Sequence, residues 1–132
     1  MPQLVIANDS PTLMRSPQLL IAALTGASAV ALGAFGAHAL KDTLAVHGTT
    51  ATWQTASLYH LVHAPVLLLL ALHNPTPKRT LILFLAGLIL FSGSLYLLCL
   101  THVKPLGAIT PVGGILLIVA WSDLLRTKSK AP

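Results

Sequence analysis

From Gln18 to Leu40 the chain carries no charged side chain, a stretch of about two dozen residues that, wound as a helix, covers the roughly 30 Å hydrocarbon core of a bilayer. Within it Ala22, Gly26, Ala29, Gly33 and Gly36 recur at spacings of four, three, four and three. In a helix these small residues form one smooth stripe where a second backbone can approach closely. Three more apolar runs follow. The expected fold is therefore all-α, an integral membrane four-helix transmembrane bundle for which lipid is the solvent.

Composition supports that class. Of 132 residues, 55% are apolar and 8% charged, with mean hydropathy +0.80, whereas a soluble domain is about a quarter charged. Eight Lys and Arg stand against three Asp, for a formal charge of +5. In a soluble protein that excess would raise nucleic-acid binding. Here the basic residues fall in the short gaps between apolar runs, where they meet lipid headgroups and set orientation, so no nucleic-acid partner is expected. Cys99 is the single cysteine and lies inside an apolar run; it offers no disulfide and no CxxC metal site, and reads as a small buried hydrophobe. Ala37-His38-Ala39 resembles a signal-peptidase site, but the apolar run before it exceeds a signal peptide's 7–15-residue core, so the segment is expected to remain as a membrane anchor.

Taken in order, residues 1–16 read as a flexible tail with Pro2, Asp9 and Pro11. Ser16-Pro17 supplies an N-cap and first helical residue, and the four helices are expected at about 17–40, 53–72, 80–100 and 105–125, a single membrane domain over 17–125. Thr43 to Thr52 suits an interfacial turn or short surface helix. Trp53 is expected at headgroup level, opening the second helix. Pro65 is expected to kink that helix. His73 to Arg79 reads as a tight basic loop, Trp121 marks the far interface, and 126–132 form a basic tail.

Four crossings put both termini and the Lys78-Arg79 loop on one side. That side holds Arg15, Lys78, Arg79, Arg126, Lys128 and Lys130, while the other holds Lys41 and Lys104. The positive-inside rule then predicts both termini in the cytoplasm.

Four groups of residues stand out in this arrangement: Gly33-Ala34-Phe35-Gly36-Ala37-His38-Ala39-Leu40; Trp53-Gln54-Thr55-Ala56 with Tyr59-His60 and His63-Ala64; Phe91-Ser92-Gly93-Ser94-Leu95-Tyr96; and Leu106 to Gly114 with Trp121. In these groups and their order the chain resembles the YgdD-like or YwdK-like family of small bacterial inner-membrane proteins, a family of unassigned function with a eukaryotic transmembrane relative. The resemblance implies a multi-pass protein of the bacterial inner (plasma) membrane with three or four helices. It brings no catalytic residue.

The helix-packing candidates are Gly26, Gly33, Gly36, Gly93, Gly113 and Gly114, with the first helix's stripe expected against the Gly and Ser faces of the third and fourth helices. The polar candidates inside the membrane are His38, Tyr59, His60, His63, Ser94 and Thr110. His60 and His63, three apart, share a helix face. They read either as neutral histidines hydrogen-bonded across helices, or as part of a path for protons or polar solutes with Thr110-Pro111 opening a helix break, or as metal or haem ligands. His38 lies near the opposite surface, and no Asp, Glu or second Cys is available at matching depth to complete a shell, so no metal and no cofactor is expected. Asp123 is expected to pair with Arg126 or Lys128. No nucleophile with a positioned base emerges, so the chain is not expected to be an enzyme. The first reading is a structural or accessory helix-packing protein whose partners are the lipid bilayer and either its own copies or a larger membrane complex. The other is a small proton or polar-solute carrier or channel.

Overall fold

The computed structural model describes residues 16–73 and 75–126. Of the expected tails at 1–16 and 126–132, residues 1–15 and 127–132, with Arg15, Lys128 and Lys130, lie outside the described residues. Helices are α1 Pro17–Ala37, α2 Lys41–Val46, α3 Thr50–Leu72, α4 Lys78–Leu88, α5 Ser94–Thr101 and α6 Leu106–Asp123. A π-helical turn, Ile89–Gly93, joins α4 to α5, so that Lys78–Thr101 is one continuous span. Four spans (α1, α3, Lys78–Thr101 and Leu106–Arg126) are long and apolar enough to cross a membrane.

Local chemistry sets the ends. Ser16 Oγ accepts the Leu19 N–H at 3.2 Å, and Pro17 follows as the first helical residue, a start that leaves fewer orphan donors. α1 stops at Ala37, three residues short of the expected end, where the chain widens so that the Leu40 N–H reaches the Phe35 carbonyl, five residues back, at 2.9 Å. α2 then forms in the segment expected to lie at the interface and buries Leu44. α5 ends at His102, whose φ of 58° is left-handed, a common way to close a helix.

Both prolines lie inside unbroken helices: α3 runs through Pro65 and α6 through Pro111. The break at Thr110-Pro111 that the carrier reading would use is not formed, since α6 is continuous from Leu106 to Asp123. The π turn was not expected. Its extra residue per turn turns Ser92 toward α3, where the Ser92 hydroxyl donates to the Ala56 carbonyl at 2.9 Å.

The spans pack in chain order: α1 on α3, α3 on the third span, and the third span on α6. One apolar cluster, Ala22, Leu67, Leu70, Leu81, Phe84, Leu88, Leu117 and Ala120, draws on all four at the end that carries the termini. A second, Leu44, Trp53, Ala56, Leu95, Tyr96 and Cys99, fills the other end under α2.

The stripe on α1 therefore meets α3 and not the third and fourth spans. Gly26 lies opposite Ala64, with 3.9 Å between a built Cβ and the Ala64 Cβ, and Gly36 leaves the notch that Trp53 fills. Trp53, near the start of α3, is turned inward: the residue is 3% exposed, and its indole N–H donates to the Leu32 carbonyl of α1 at 3.0 Å. Gly33, by contrast, has nothing within 4 Å among the described residues, and Gly93 meets only Ile89 of its own turn. The closest approach of two backbones is between the third span and α6: a Cβ on Gly113 would collide with the Phe91 nitrogen and Leu90 carbonyl carbon, and one on Gly87 would lie 2.9 Å from the Leu117 nitrogen. Gly114 sits beside the Phe91 ring.

These contacts separate the glycines by experiment. Gly113→Ala should lower unfolding free energy in detergent by about 1–3 kcal/mol, since backbone cannot step aside as a side chain does. Gly33→Ala should be neutral or stabilising by up to about 1 kcal/mol, because it adds helix propensity in open space. Thermal unfolding of the two purified variants beside wild type checks the pair.

Candidate functional site

His60 and His63 share one flank of α3 but serve different neighbours. Three residues of helix separate them by about 60° of arc, and that arc straddles the line where the third span packs. His63 turns toward α4 and α6. It is 5% exposed, its Nδ1 lies 2.7 Å from the Tyr59 carbonyl and its Nε2 lies 3.2 Å from the Trp121 indole nitrogen. A carbonyl only accepts and an indole N–H only donates, so Nδ1 carries the proton and Nε2 accepts, fixing a neutral ring with both nitrogens engaged. Phe84 and Trp121 stand around it at centroid distances of 5.8 and 6.2 Å. Trp121 is half exposed, yet its polar edge points inward at His63 rather than serving only as an interface marker.

His60 turns toward α1 and α5. Its Nε2 lies 3.4 Å from Ser28 Oγ and its Nδ1 3.5 Å from the Tyr96 hydroxyl, which in turn lies 3.3 Å from Ser57 Oγ. Tyr96 is held edge-on against Trp53 at 4.7 Å, so the tryptophan seated on Gly36 also positions the hydroxyl that faces His60. A groove of about 540 Å³ opens over His60, Ser28 and Tyr96 between α1 and the third span.

The other candidates lie apart. Tyr59 is partly exposed and stacks on Phe91 at 4.2 Å. Ser94 donates to the Phe91 carbonyl at 3.0 Å, so across the 2.8 Å to Thr110 the threonine hydroxyl donates, tying the third span to α6. His38 is exposed at the C-terminal end of α1, and among the described residues no hydrogen bond joins it to the other five. Nor do three or more His, Cys, Asp or Glu side chains come together in a metal-holding group among the described residues.

Ser28 and Tyr96 were not singled out from sequence. The signal was slight: a lone serine in an apolar helix, and a tyrosine at the end of a motif that carries the family resemblance. Asp123 was expected beside Arg126 or Lys128, of which Lys128 lies outside the described residues. It reaches the start of another span: the Thr80 hydroxyl donates to one carboxylate oxygen at 2.9 Å and Arg79 Nε lies 3.6 Å from the other. The carboxylate side chain is 8% exposed and Arg79 68%, so the arginine head stays near water while the acid is buried against Thr80. The pair clasps the start of the third span to the end of α6.

Trp121→Phe tests the His63 arrangement. The ring volume is largely kept while Nε2 loses its donor, and a buried acceptor left unpaired costs roughly 1–3 kcal/mol. Unfolding in detergent should shift by that amount, whereas a Trp121→Phe protein as stable as wild type would show that the indole bond contributes nothing.

Comparison with known proteins agrees with this architecture. The description "Protein of unknown function (DUF423)" matches residues 32–114. The UPF0382 membrane protein SAB0533 of Staphylococcus aureus is 40% identical over 111 residues, covering 81% of this chain and 90% of the relative. A UPF0382 membrane protein of Staphylococcus epidermidis is 42% identical over 112 residues (81% and 90%) and YwdK of Bacillus subtilis 39% over 111 (78% and 88%). No solved structure matches the chain. The match over residues 32–114 and these identities and coverages together establish that the chain belongs to the DUF423 family, the UPF0382 membrane proteins, whose function is unknown.

Proposed function

We propose that this protein is a non-enzymatic accessory component of the bacterial inner membrane, with both termini in the cytoplasm, that associates through α1 with a second membrane helix, either from its own copy or from a larger membrane complex. The observation that carries this reading is the position of α1. Its principal neighbour is α3, and on the side turned away from α3 it exposes Ala23, Ala27, Ala31 and Ala34, spaced four, four and three. In lipid, helices associate by close packing of such small residues rather than by hydrophobic burial. The interior polar groups support a fastening role. His63 with Trp121, Ser94 with Thr110, Ser92 with Ala56, and Thr80 with Asp123 each tie one span to another.

The carrier reading has less support. A path for protons needs hydrogen-bonding groups in series from one face to the other. Here His63 has both nitrogens committed to fixed partners, and the Ser94–Thr110 pair stands apart from the His60 group. The excess of Lys and Arg on the terminal side supports cytoplasmic termini through the positive-inside rule.

In lipid nanodiscs or cross-linked membranes, Ala27→Leu combined with Ala31→Leu should reduce the assembly to a smaller species while the melting midpoint of the isolated chain stays within about 2 °C. An assembly of undiminished size would refute the role of α1. For topology, a phosphatase that is active only outside the cytoplasm should be silent when fused after Pro132, and activity there would refute the orientation.

A further inference from the structure

The groove over His60 is the place where the molecule has both room and unspent hydrogen-bonding capacity. It arises because α1 leans on one flank of α3 through Gly26 and Gly36 while the third span packs on the other, leaving a gap above the His60 side of α3. Its volume of about 540 Å³ falls within the range of small-molecule sites, which are mostly apolar with a few placed polar groups. Leu24, Leu88 and Ile89 form walls, and Leu24 and Ile89 are 60% and 67% exposed at the rim. In a membrane-spanning helix pair that rim faces lipid, so entry is sideways from the bilayer.

The floor is where this groove differs from an ordinary crevice between helices. The gap on the other flank of α1 and α3, of about 510 Å³, is lined by Ala, Gly, Val, Leu and Pro side chains alone. The His60 groove is lined by a histidine and four hydroxyl residues, Thr25, Ser28, Ser92 and Tyr96; Thr25 and Ser92 donate to the Ile21 and Ala56 carbonyls at 2.9 Å, whereas His60 stands 3.4 Å from Ser28 and 3.5 Å from Tyr96, at the outer limit of hydrogen bonding. His63, by comparison, holds its partners at 2.7 and 3.2 Å. Such slack is costly in hydrocarbon, where no water completes a weak bond.

The protons can be counted. Ser28 donates its hydroxyl proton to the Thr25 carbonyl at 3.0 Å, and Tyr96 donates toward Ser57 at 3.3 Å. The contact between His60 and Ser28 then needs its proton from the imidazole Nε2, with the serine oxygen accepting. The floor thus presents one N–H donor and adjacent hydroxyl lone pairs. That set matches an oxygen that both accepts and donates, as in an alcohol. Among the described residues none lining the groove carries a formal charge, so nothing there neutralises a phosphate or carboxylate.

We infer that the groove between α1, α3 and the third span is a lateral binding site for an uncharged, membrane-dissolved amphiphile, an apolar chain whose hydroxyl head accepts from the His60 Nε2–H and donates to Ser28 Oγ. The inference is independent of the α1 association proposed above: the alanine stripe and the groove lie on different sides of α1, and each can fail alone.

The test uses the full chain in lipid nanodiscs and three photoactivatable long-chain alkyl diazirines that differ only at the head: a hydroxyl, a carboxylate or a plain methyl. The hydroxyl probe should label the α1 and third-span residues of the groove, and an excess of unlabelled long-chain alcohol should suppress that labelling. His60→Phe and Ser28→Leu should each reduce it about tenfold, a change of about 1.4 kcal/mol that corresponds to loss of one hydrogen bond. Ser28 is exposed, so its variant keeps the fold, which an unchanged melting midpoint verifies. The methyl probe should label lipid-facing helices without saturation. Equal groove labelling by the methyl probe, or labelling unaffected by both variants, would overturn the site. Equal labelling by the carboxylate probe would overturn the assignment of a neutral head.

Discussion

A polar group inside a bilayer has no water to fall back on, and this single constraint explains most of what holds the spans in register. In water an unmade hydrogen bond is replaced by solvent; in hydrocarbon it costs several kcal/mol. Each span nevertheless carries a few polar side chains, and the packing order is the one that matches them. The Thr80 hydroxyl finds Asp123, Ser92 finds the Ala56 carbonyl, Trp121 finds His63 and Trp53 finds the Leu32 carbonyl. Small residues let the matches happen. Gly36 makes the space for Trp53, and Gly87 and Gly113 bring the third span and α6 close enough for Ser94 to reach Thr110.

The π turn joins these two effects. It lies between the apolar cluster at the terminal end and the one beneath α2, and its wider winding lets α4 and α5 each present their own packing face. Phe91 and Leu90 within it form the surface that Gly113 contacts, while Ser92 leaves on the opposite side toward α3. A regular helix here would rotate one of these contacts out of place, since every residue beyond the turn would shift by about 100° relative to the residues before it. His60 and its groove lie at the same level along the spans, bounded by Ile89, Ser92 and Gly93 of that turn. The irregular turn and the one underused histidine are therefore parts of the same mid-membrane region.

The two histidines show how far a sequence pattern reaches. Spacing puts His60 and His63 on one flank of α3, and depth arithmetic sets His38 apart from them. It did not separate their neighbours, because a 60° difference in direction matters only once the flanking helices are in position. The stripe on α1 behaved in the same way. Its periodicity identified a packing face, and Ala22, Gly26, Ala29 and Gly36 do face the interior or α3, but nothing in the spacing named α3 as the partner or left Gly33 without one. Asp123 was paired by proximity in sequence with Arg126 or Lys128, whereas its buried carboxylate takes a hydroxyl donor and an arginine from the start of another span.

Length without charge determined, from the sequence alone, that this chain makes four apolar helical rods, because a backbone in lipid must satisfy its own hydrogen bonds and a helix does so within a single segment. Ser16-Pro17 marked where the first rod begins, and the polar segments at 73–79 and 101–104 separated the later rods, with the helix ends falling up to three residues from where the sequence placed them. The tertiary structure alone decided which rod lies beside which, where the π turn falls, and that His63 is saturated while His60 looks onto an open groove. These depend on shape and hydrogen-bond matching between residues 30 to 60 positions apart, and such matches exist only when the helices are already side by side.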